Sequence, residues 1–518
     1  MECCKFRVNL TGSFVIDTKR SFFVKKLEEK LQLANSFDGW KAVAEEHDRC
    51  SGREHWKKID KTSLYDYASI RSRLERLRYF RDNNDNIGLL FSLNEGIHGN
   101  MGGMGKPVLY ARAKFGTKHL IHDYVNSICD SLDHLAHLDS DHPSFTERLD
   151  FFRRASKCYG RSALMLSGGA ILGNFHVGVV KALVEHELLP DVISGASAGS
   201  MIAAVLGTRT DAELHTFLDA ENLQKVLLAE VQLVNGGLSE TSPRINHQIL
   251  KAKIAKLIPD ITFQEAFERT GRHINISISP SDVHQTSRLL NAIASPNVFI
   301  RKAVLASCAV PGIYPPVMLE AKNVHGHPQP YLATRRWIDG SVSDDLPAKR
   351  LARLYGVNHF IVSQTNPLVL WAVRDNKSEN SGLISAVRQL GGRSLKEFSK
   401  IGTSVASKYF KNSPRVRRMA NIVYSVINQE YTGDINIIPR YRFFDPRKLL
   451  TELTPKELQF FIVEGERATW PKVEMIRTST KISRKLTSIL EQYEAEEINR
   501  LSKSHHLGAE MPRKNARA

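Results

Sequence analysis

Apolar positions in the first part of the chain recur with a helical period. Phe22, Val24, Leu27, Leu31 and Leu33 do so first, and Ile70, Leu74, Leu77 and Tyr79 follow within a strongly charged background. Trp40, Trp56, Tyr65 and Tyr67 supply bulk for packing. After a glycine-rich loop, Gly96 to Gly105, two further helical stretches are predicted around 117–139 and 144–157. The pattern changes at residue 161. Ala163 to Leu166 is a short apolar run closed by Ser167-Gly168-Gly169, which reads as a buried strand entering a tight turn. A helix from Val177 to His186 follows, then a strand at 191–194, the turn Gly195-Ala196-Ser197-Ala198-Gly199 and an Ala-rich helix. Ile274 to Ile278 alternates like a strand, Trp337-Ile338 runs into Asp339-Gly340, and a helix (Ala348 to Leu354) and a strand (His359 to Val362) come after it. Strands alternating with helices predict an α/β fold with a mainly parallel sheet.

Beyond about 370 the pattern is helical again and basic. Leu383, Ile384, Val387, Leu390, Leu395, Phe398 and Val405 are interleaved with Arg388, Arg393, Lys396, Lys400, Lys408, Lys411, Arg415, Arg417 and Arg418. A solvated basic helix and a lipid-surface helix both fit, since the latter combines apolar side chains with attraction to anionic head groups. The expected organisation is an N-terminal segment (1–36), a helical domain (37–158), a catalytic α/β domain (159–366) and a basic helical C-terminal region (367–518) with a loose tail.

Composition narrows the class of partner. The 518 residues, 42% hydrophobic and 25% charged, suit a sizeable globular core, and the net charge of +17 calls for an anionic partner, nucleic acid or an acidic lipid surface. Six scattered cysteines (Cys3, Cys4, Cys50, Cys129, Cys158, Cys308) lack a C-x-x-C spacing and read as reduced thiols of an intracellular protein. The first twenty residues lack the layout of a secretory signal, and no run approaches the roughly 18 apolar residues of a membrane span. Any membrane contact is therefore expected to be peripheral.

The candidate chemistry centres on Ser197. A strand, a G-x-S-x-G turn and a helix are the context of a nucleophile elbow, in which small neighbours let the serine stand out at a helix N-terminus. Gly168 and Gly169, between a strand and a helix, are placed to aim backbone N–H groups at a developing oxyanion. The base is open on these grounds alone. His215, His247, His273, His284, His325, His327 and His359 are formally available, but only Asp339 sits in a strand-end turn. A dinucleotide site is excluded because G-G-x-x-x-G is not G-x-G-x-x-G and the second strand ends in a serine. A P-loop is excluded because Lys106 is followed by Pro107.

Ser167-Gly168-Gly169-Ala170…Gly173, Gly195-Ala-Ser197-Ala-Gly199 and Asp339-Gly340-Ser341 together resemble the patatin-like phospholipase family. The resemblance is closer to its triacylglycerol lipase branch, the fungal and plant lipid-droplet lipases with a helical domain before the core. Tyr65-Asp66-Tyr67, His98 to Gly103, Gly116 to Ile121, Arg288 to Val298, Ala306 to Pro316 and Gly465 to Pro471 carry it. The loop departs from the family's G-G-G-x-[RK]-G form at Leu172, and Gly99 stands where the branch often has arginine.

That resemblance implies a patatin-like three-layer α/β/α core and a Ser–Asp dyad. Ser197 would be the nucleophile, Asp339 the proton acceptor, Gly168 and Gly169 the oxyanion hole, and Gly195, Gly199 and Gly340 the motif glycines. It implies no metal or other cofactor. Its partners would be triacylglycerol or phospholipid and a droplet or membrane surface, not nucleic acid, with a lipid-droplet and cytoplasmic distribution. The alternatives are a phospholipase A or lysophospholipid acyltransferase on the same site, and a non-catalytic basic lipid-binding scaffold, which the intact serine, aspartate and glycine loop disfavour. Three H-x-x-x-x-D matches (His55…Asp60, His134…Asp139, His186…Asp191), a pattern linked to acyl transfer in relatives, lie in unrelated contexts and read as chance.

Overall fold

The computed structural model describes residues 13–138, 142–219, 247–282, 286–342, 344–367, 369–370, 433–440, 449, 451 and 453–509. Cys3, Cys4, His284, the basic stretch Leu383 to Arg418 and the last nine residues lie outside the described residues. The chain forms two compact units, Ser162–Val473 and a second made of Met1–Arg161 with Glu474–Ala518.

The apolar runs beyond residue 160 become strands: β1 (Arg161–Leu166), β2 (Val192–Gly195), β3 (His273–Pro280), β4 (Arg288–Leu290), β5 (Leu319–Lys322), β6 (Pro328–Tyr331), β7 (Trp337–Asp339), β8 (Val357–Ser363) and β9 (Ile435–Ile437). The main sheet runs β4-β3-β2-β1-β8-β9, with β7 also paired to β3. β1–β2, β2–β3 and β8–β9 are parallel, whereas β4 and β7 run antiparallel to β3. The parallel β1–β2 pair follows from its connection, because the helix Phe175–Glu185 carries the chain back along the sheet.

Register decides which side chains meet which helix layer. Leu164, Ile193 and Ile274 lie side by side on one face, where the helix Ala198–Gly207 brings Gly207 against Ile274. Ala163 and Val192 take the opposite face and join Met165, Val357 and Val362 under Leu351 of the helix Ala348–Tyr355. Both faces are covered, so the run Ala163 to Leu166 of β1 is apolar throughout, whereas β3 alternates isoleucine with buried Asn275 and Ser277. The expected three-layer, mainly parallel class is the one observed.

The Gly465-Glu466-Arg467-Ala468-Thr469-Trp470-Pro471 signature has a packing explanation. The helix Pro455–Thr469 lies directly against Phe175–Glu185, and a Cβ on Gly465 would run into the Phe175 carbonyl, just as one on Gly178 would run into that of Ile462. Two glycines thus let two backbones approach, and Lys181 pairs with Glu466 beside them. Gly465→Val is expected to destabilise the protein by about 3 kcal/mol or more, because neither backbone can yield. Chemical denaturation of the purified variant checks this; an unchanged midpoint contradicts the close approach.

In the other unit, polar residues that start helices act as caps. Ser36, Asp66, Asp85 and Ser144 each accept a backbone N–H of the first turn. Fully buried Asp48 accepts the Lys114 and Phe115 amides and pairs with Lys57 at 3.0 Å. Lys118, also fully buried, donates to the carbonyls of Trp56 and Ile59 and stands 4.0 Å over the Trp56 ring.

The long C-terminal helix completes this unit. Ile482, Leu486, Ile489 and Tyr493 are buried at helical spacing, and the Tyr493 ring stacks on Phe145 at 5.0 Å while its hydroxyl donates to the Ala136 carbonyl. The chain beyond 473 therefore belongs with the N-terminal helices, not with the stretch that precedes it in sequence. No helix among the described residues is long and apolar enough to cross a membrane.

Candidate active site

The turn after β2 is as tight as its composition requires. Ser197 adopts φ 51°, ψ −122°, a conformation L-residues rarely hold, and it caps the helix Ala198–Gly207. A Cβ on Gly195 would collide with the Gly199 carbonyl, and one on Gly199 with the Leu166 carbonyl, so both flanking positions must be glycine. The strained serine is tied at its backbone. Its N–H donates to Ser307 Oγ at 2.9 Å, and its carbonyl accepts Ser200 Oγ at 2.6 Å. Ser307 Oγ donates in turn to the Ser277 carbonyl at 2.7 Å.

Asp339 arrives from a distant part of the chain. β7 pairs antiparallel with the end of β3, with Asp339 opposite Ile278, and the Asp339 N–H donates to the Ala309 carbonyl at 3.0 Å. The small-residue segment from Ala306 to Pro316 therefore holds both candidate residues, Ser197 through Ser307 and Asp339 through Ala309. Asp339 is 2% exposed, and the Ser197 side chain beside it favours its ionised form. Ser341 donates to Asp339 Oδ1 from both N and Oγ, at 2.9 and 2.8 Å. Burial pushes the Asp339 carboxyl up to about 6, against these hydrogen bonds, which favour the ionised form.

The glycine loop lies against the serine. A Cβ on Gly168 would stand 3.3 Å from that of Ser197 and 2.9 Å from that of Ser341. The two loop amides differ, however. Gly168 N–H already donates to Asp345 Oδ1 at 2.7 Å, whereas Gly169 N–H meets no acceptor among the described residues. Of the two amides expected as oxyanion donors, only that of Gly169 is without an acceptor among the described residues. Ala170, with φ 49°, continues the sharp turn.

Four of the candidate histidines have other surroundings. His273 is sandwiched between Phe267 and Tyr355, His359 contacts Ser162 Oγ at 3.0 Å, and His325 and His327 sit exposed in the β5–β6 turn. His186 and Asp191 lie before β2, at the opposite end of that strand from Ser197. Asp345, His176, Ser307 and Thr365 do not stand out in the sequence as site residues. The available signals were an acidic pair, Asp344-Asp345, five and six residues after Asp339 and a histidine just beyond the glycine loop.

Residues 164–352 match the family described as patatin-like phospholipase, and residues 18–157 match a domain of unknown function, DUF3336. Triacylglycerol lipase ptl2 of Schizosaccharomyces pombe is 32% identical over 475 residues, covering 89% of this chain and 74% of that protein. Triacylglycerol lipase SDP1L of Arabidopsis thaliana is 31% identical over 493 residues, covering 92% of this chain and 59% of that protein. The chain spans about half the length of several curated relatives, including 54% of a patatin-like phospholipase domain-containing protein of Cryptococcus neoformans.

Proposed function

The chain belongs to the patatin-like phospholipase family, and from that premise we propose that it is a serine ester hydrolase that cleaves triacylglycerol to diacylglycerol and fatty acid at lipid-droplet surfaces. The observation that carries this reading is the buried Asp339 carboxyl, whose ionised form the Ser197 side chain favours, beside a Gly169 N–H that meets no acceptor among the described residues. Relatives named triacylglycerol lipase favour the neutral-lipid substrate.

In this mechanism Ser197 Oγ attacks the ester carbonyl while Asp339 takes its proton. The Gly169 N–H donates to the oxyanion, where the N-terminus of the following helix also favours negative charge. The tetrahedral intermediate collapses, and the departing alkoxide of diacylglycerol takes the proton from Asp339. Water then attacks the acyl-Ser197 ester, giving its proton to Asp339, and fatty acid leaves as Ser197 is reprotonated.

Assaying the purified full chain on triacylglycerol and phosphatidylcholine emulsions side by side tests the substrate. Release of diacylglycerol and fatty acid from the first supports the reading. Faster cleavage of phosphatidylcholine replaces it with a phospholipase A, and no cleavage of either overturns the hydrolase.

The basic stretch from Leu383 to Arg418 is the proposed droplet anchor, on charge and apolar spacing. Charge reversal at Lys396, Lys400, Lys408 and Lys411 is expected to lower co-flotation with droplets bearing anionic lipid, and raised salt to mimic it. Unchanged flotation overturns the anchor.

A further inference from the structure

One peptide unit of the glycine loop is held at both ends by fully buried titratable side chains that the proposed chemistry does not use. The Ser167 carbonyl accepts His176 Nε2 at 2.9 Å, and the N–H of the same peptide, that of Gly168, donates to Asp345 Oδ1 at 2.7 Å. His176 and Asp345 come from different elements, the helix Phe175–Glu185 and the segment after β7, and are 0% and 1% exposed. A carbonyl only accepts, so His176 carries its proton on Nε2 and takes one from Ser363 Oγ at Nδ1, 2.7 Å away. Burial presses His176 down to about 4, which keeps that neutral tautomer. Asp345 is braced on its other oxygen by Asn366 Nδ2 at 3.2 Å.

The next peptide is fixed from one side. The Gly168 carbonyl accepts Ser167 Oγ at 3.2 Å and Thr365 Oγ1 at 3.3 Å. In a trans peptide the N–H points opposite its carbonyl, so these two hydroxyls turn the Gly169 N–H away from themselves. Thr365 is itself set by its backbone N–H, which donates to Ser167 Oγ at 2.7 Å, and by His176 Nε2 at 3.1 Å.

We infer that His176 and Asp345 are positioning residues: by clamping the Ser167 carbonyl and the Gly168 N–H, they hold the loop so that the Gly169 N–H faces the oxyanion formed at Ser197. Both roles presuppose Ser197 as the nucleophile.

An oxyanion donor acts mainly in the transition state, so a displaced Gly169 N–H lowers kcat and leaves KM nearly unchanged. The test is steady-state hydrolysis of a soluble p-nitrophenyl ester by the full chain, with thermal unfolding of each variant recorded alongside. Asp345→Leu removes both acceptors and is expected to lower kcat roughly 10- to 100-fold, whereas Asp345→Asn keeps an acceptor for Gly168 and stays within about fivefold. His176→Phe is expected to behave like the leucine variant, and His176→Gln, whose amide N–H can reach the Ser167 carbonyl, to recover most of the rate. If the leucine or phenylalanine variant does not fold, Thr365→Val, which deletes a single hydroxyl, carries the same expectation at about three- to tenfold. The inference is overturned by folded variants with wild-type kcat, by losses confined to KM, or by an asparagine variant no better than leucine. Should Ser197→Ala retain wild-type turnover, the nucleophile itself is wrong. A dead Ser197→Ala beside a fully active Asp345→Leu removes only the clamp.

Discussion

Ser197→Ala is expected to lower ester hydrolysis by at least 10³-fold while the protein stays folded, a loss typical of removing an enzymic nucleophile. The structure argues for a clean variant. The strained backbone at φ 51° is held by Ser307 at its N–H and Ser200 at its carbonyl, and neither contact uses the Ser197 hydroxyl. Alanine has the same Cβ and bears the same positive φ, so no new strain arises. Asp339 keeps both hydrogen bonds from Ser341 when the Ser197 hydroxyl is gone. Fatty-acid release from emulsified triacylglycerol, with circular dichroism as the folding control, reads the outcome. Retention of more than a few per cent of activity excludes Ser197 as nucleophile.

Asp339→Asn is expected to cause a comparable loss with a different signature. The amide still accepts from Ser341, but it presents no base to Ser197 and can donate to its oxygen instead. The wild-type pH profile follows from burial, which pushes Asp339 up to about 6. The base works ionised, so kcat/KM should rise through about pH 6, level off above it and fall about tenfold per unit well below it. Stability has the opposite slope. Between the unfolded value near 4 and the folded value near 6, the native state holds the proton and the unfolded state does not. Native stability therefore declines as pH rises through that window and remains lower above it. The asparagine variant lacks the buried charge and is expected to unfold at a higher temperature than wild type at pH 8, as a destabilised active-site group implies. Single Gln replacements of His215, His247, His273, His284, His325, His327 and His359 should alter turnover at most a few-fold. An essential histidine together with an active Asp339→Asn would falsify the dyad in favour of a serine–histidine hydrolase.

Much of this architecture is written locally. The apolar run Ala163 to Leu166, the glycine turns and the strand–turn–helix around Ser197 depend on neighbours within a few residues, where backbone sterics and hydrophobic period act directly. The segment Ala306 to Pro316 was legible as a possible pocket wall, though not as the brace that ties Ser197 and Asp339 together. Its serine and its free carbonyl acquire partners only when the helix Ile300–Ser307 packs against β3.

By itself, the sequence determined an α/β core with a serine elbow, a glycine loop, a strand-end aspartate and helical flanks, since each of these is a short-range pattern of small, apolar and turn-forming residues. Only the tertiary structure decided which side chains complete the site and where the chain's end goes. The Gly168 N–H finds Asp345 across 177 residues, and Asp339 reaches Ser197 because β7 pairs with β3. The helix after 473 buries Ile482, Leu486, Ile489 and Tyr493 among helices from the other end of the chain. An apolar helical face or a buried carboxylate requires a partner but does not name it. Strand order and helix packing do, and those are set by burying all such faces at once.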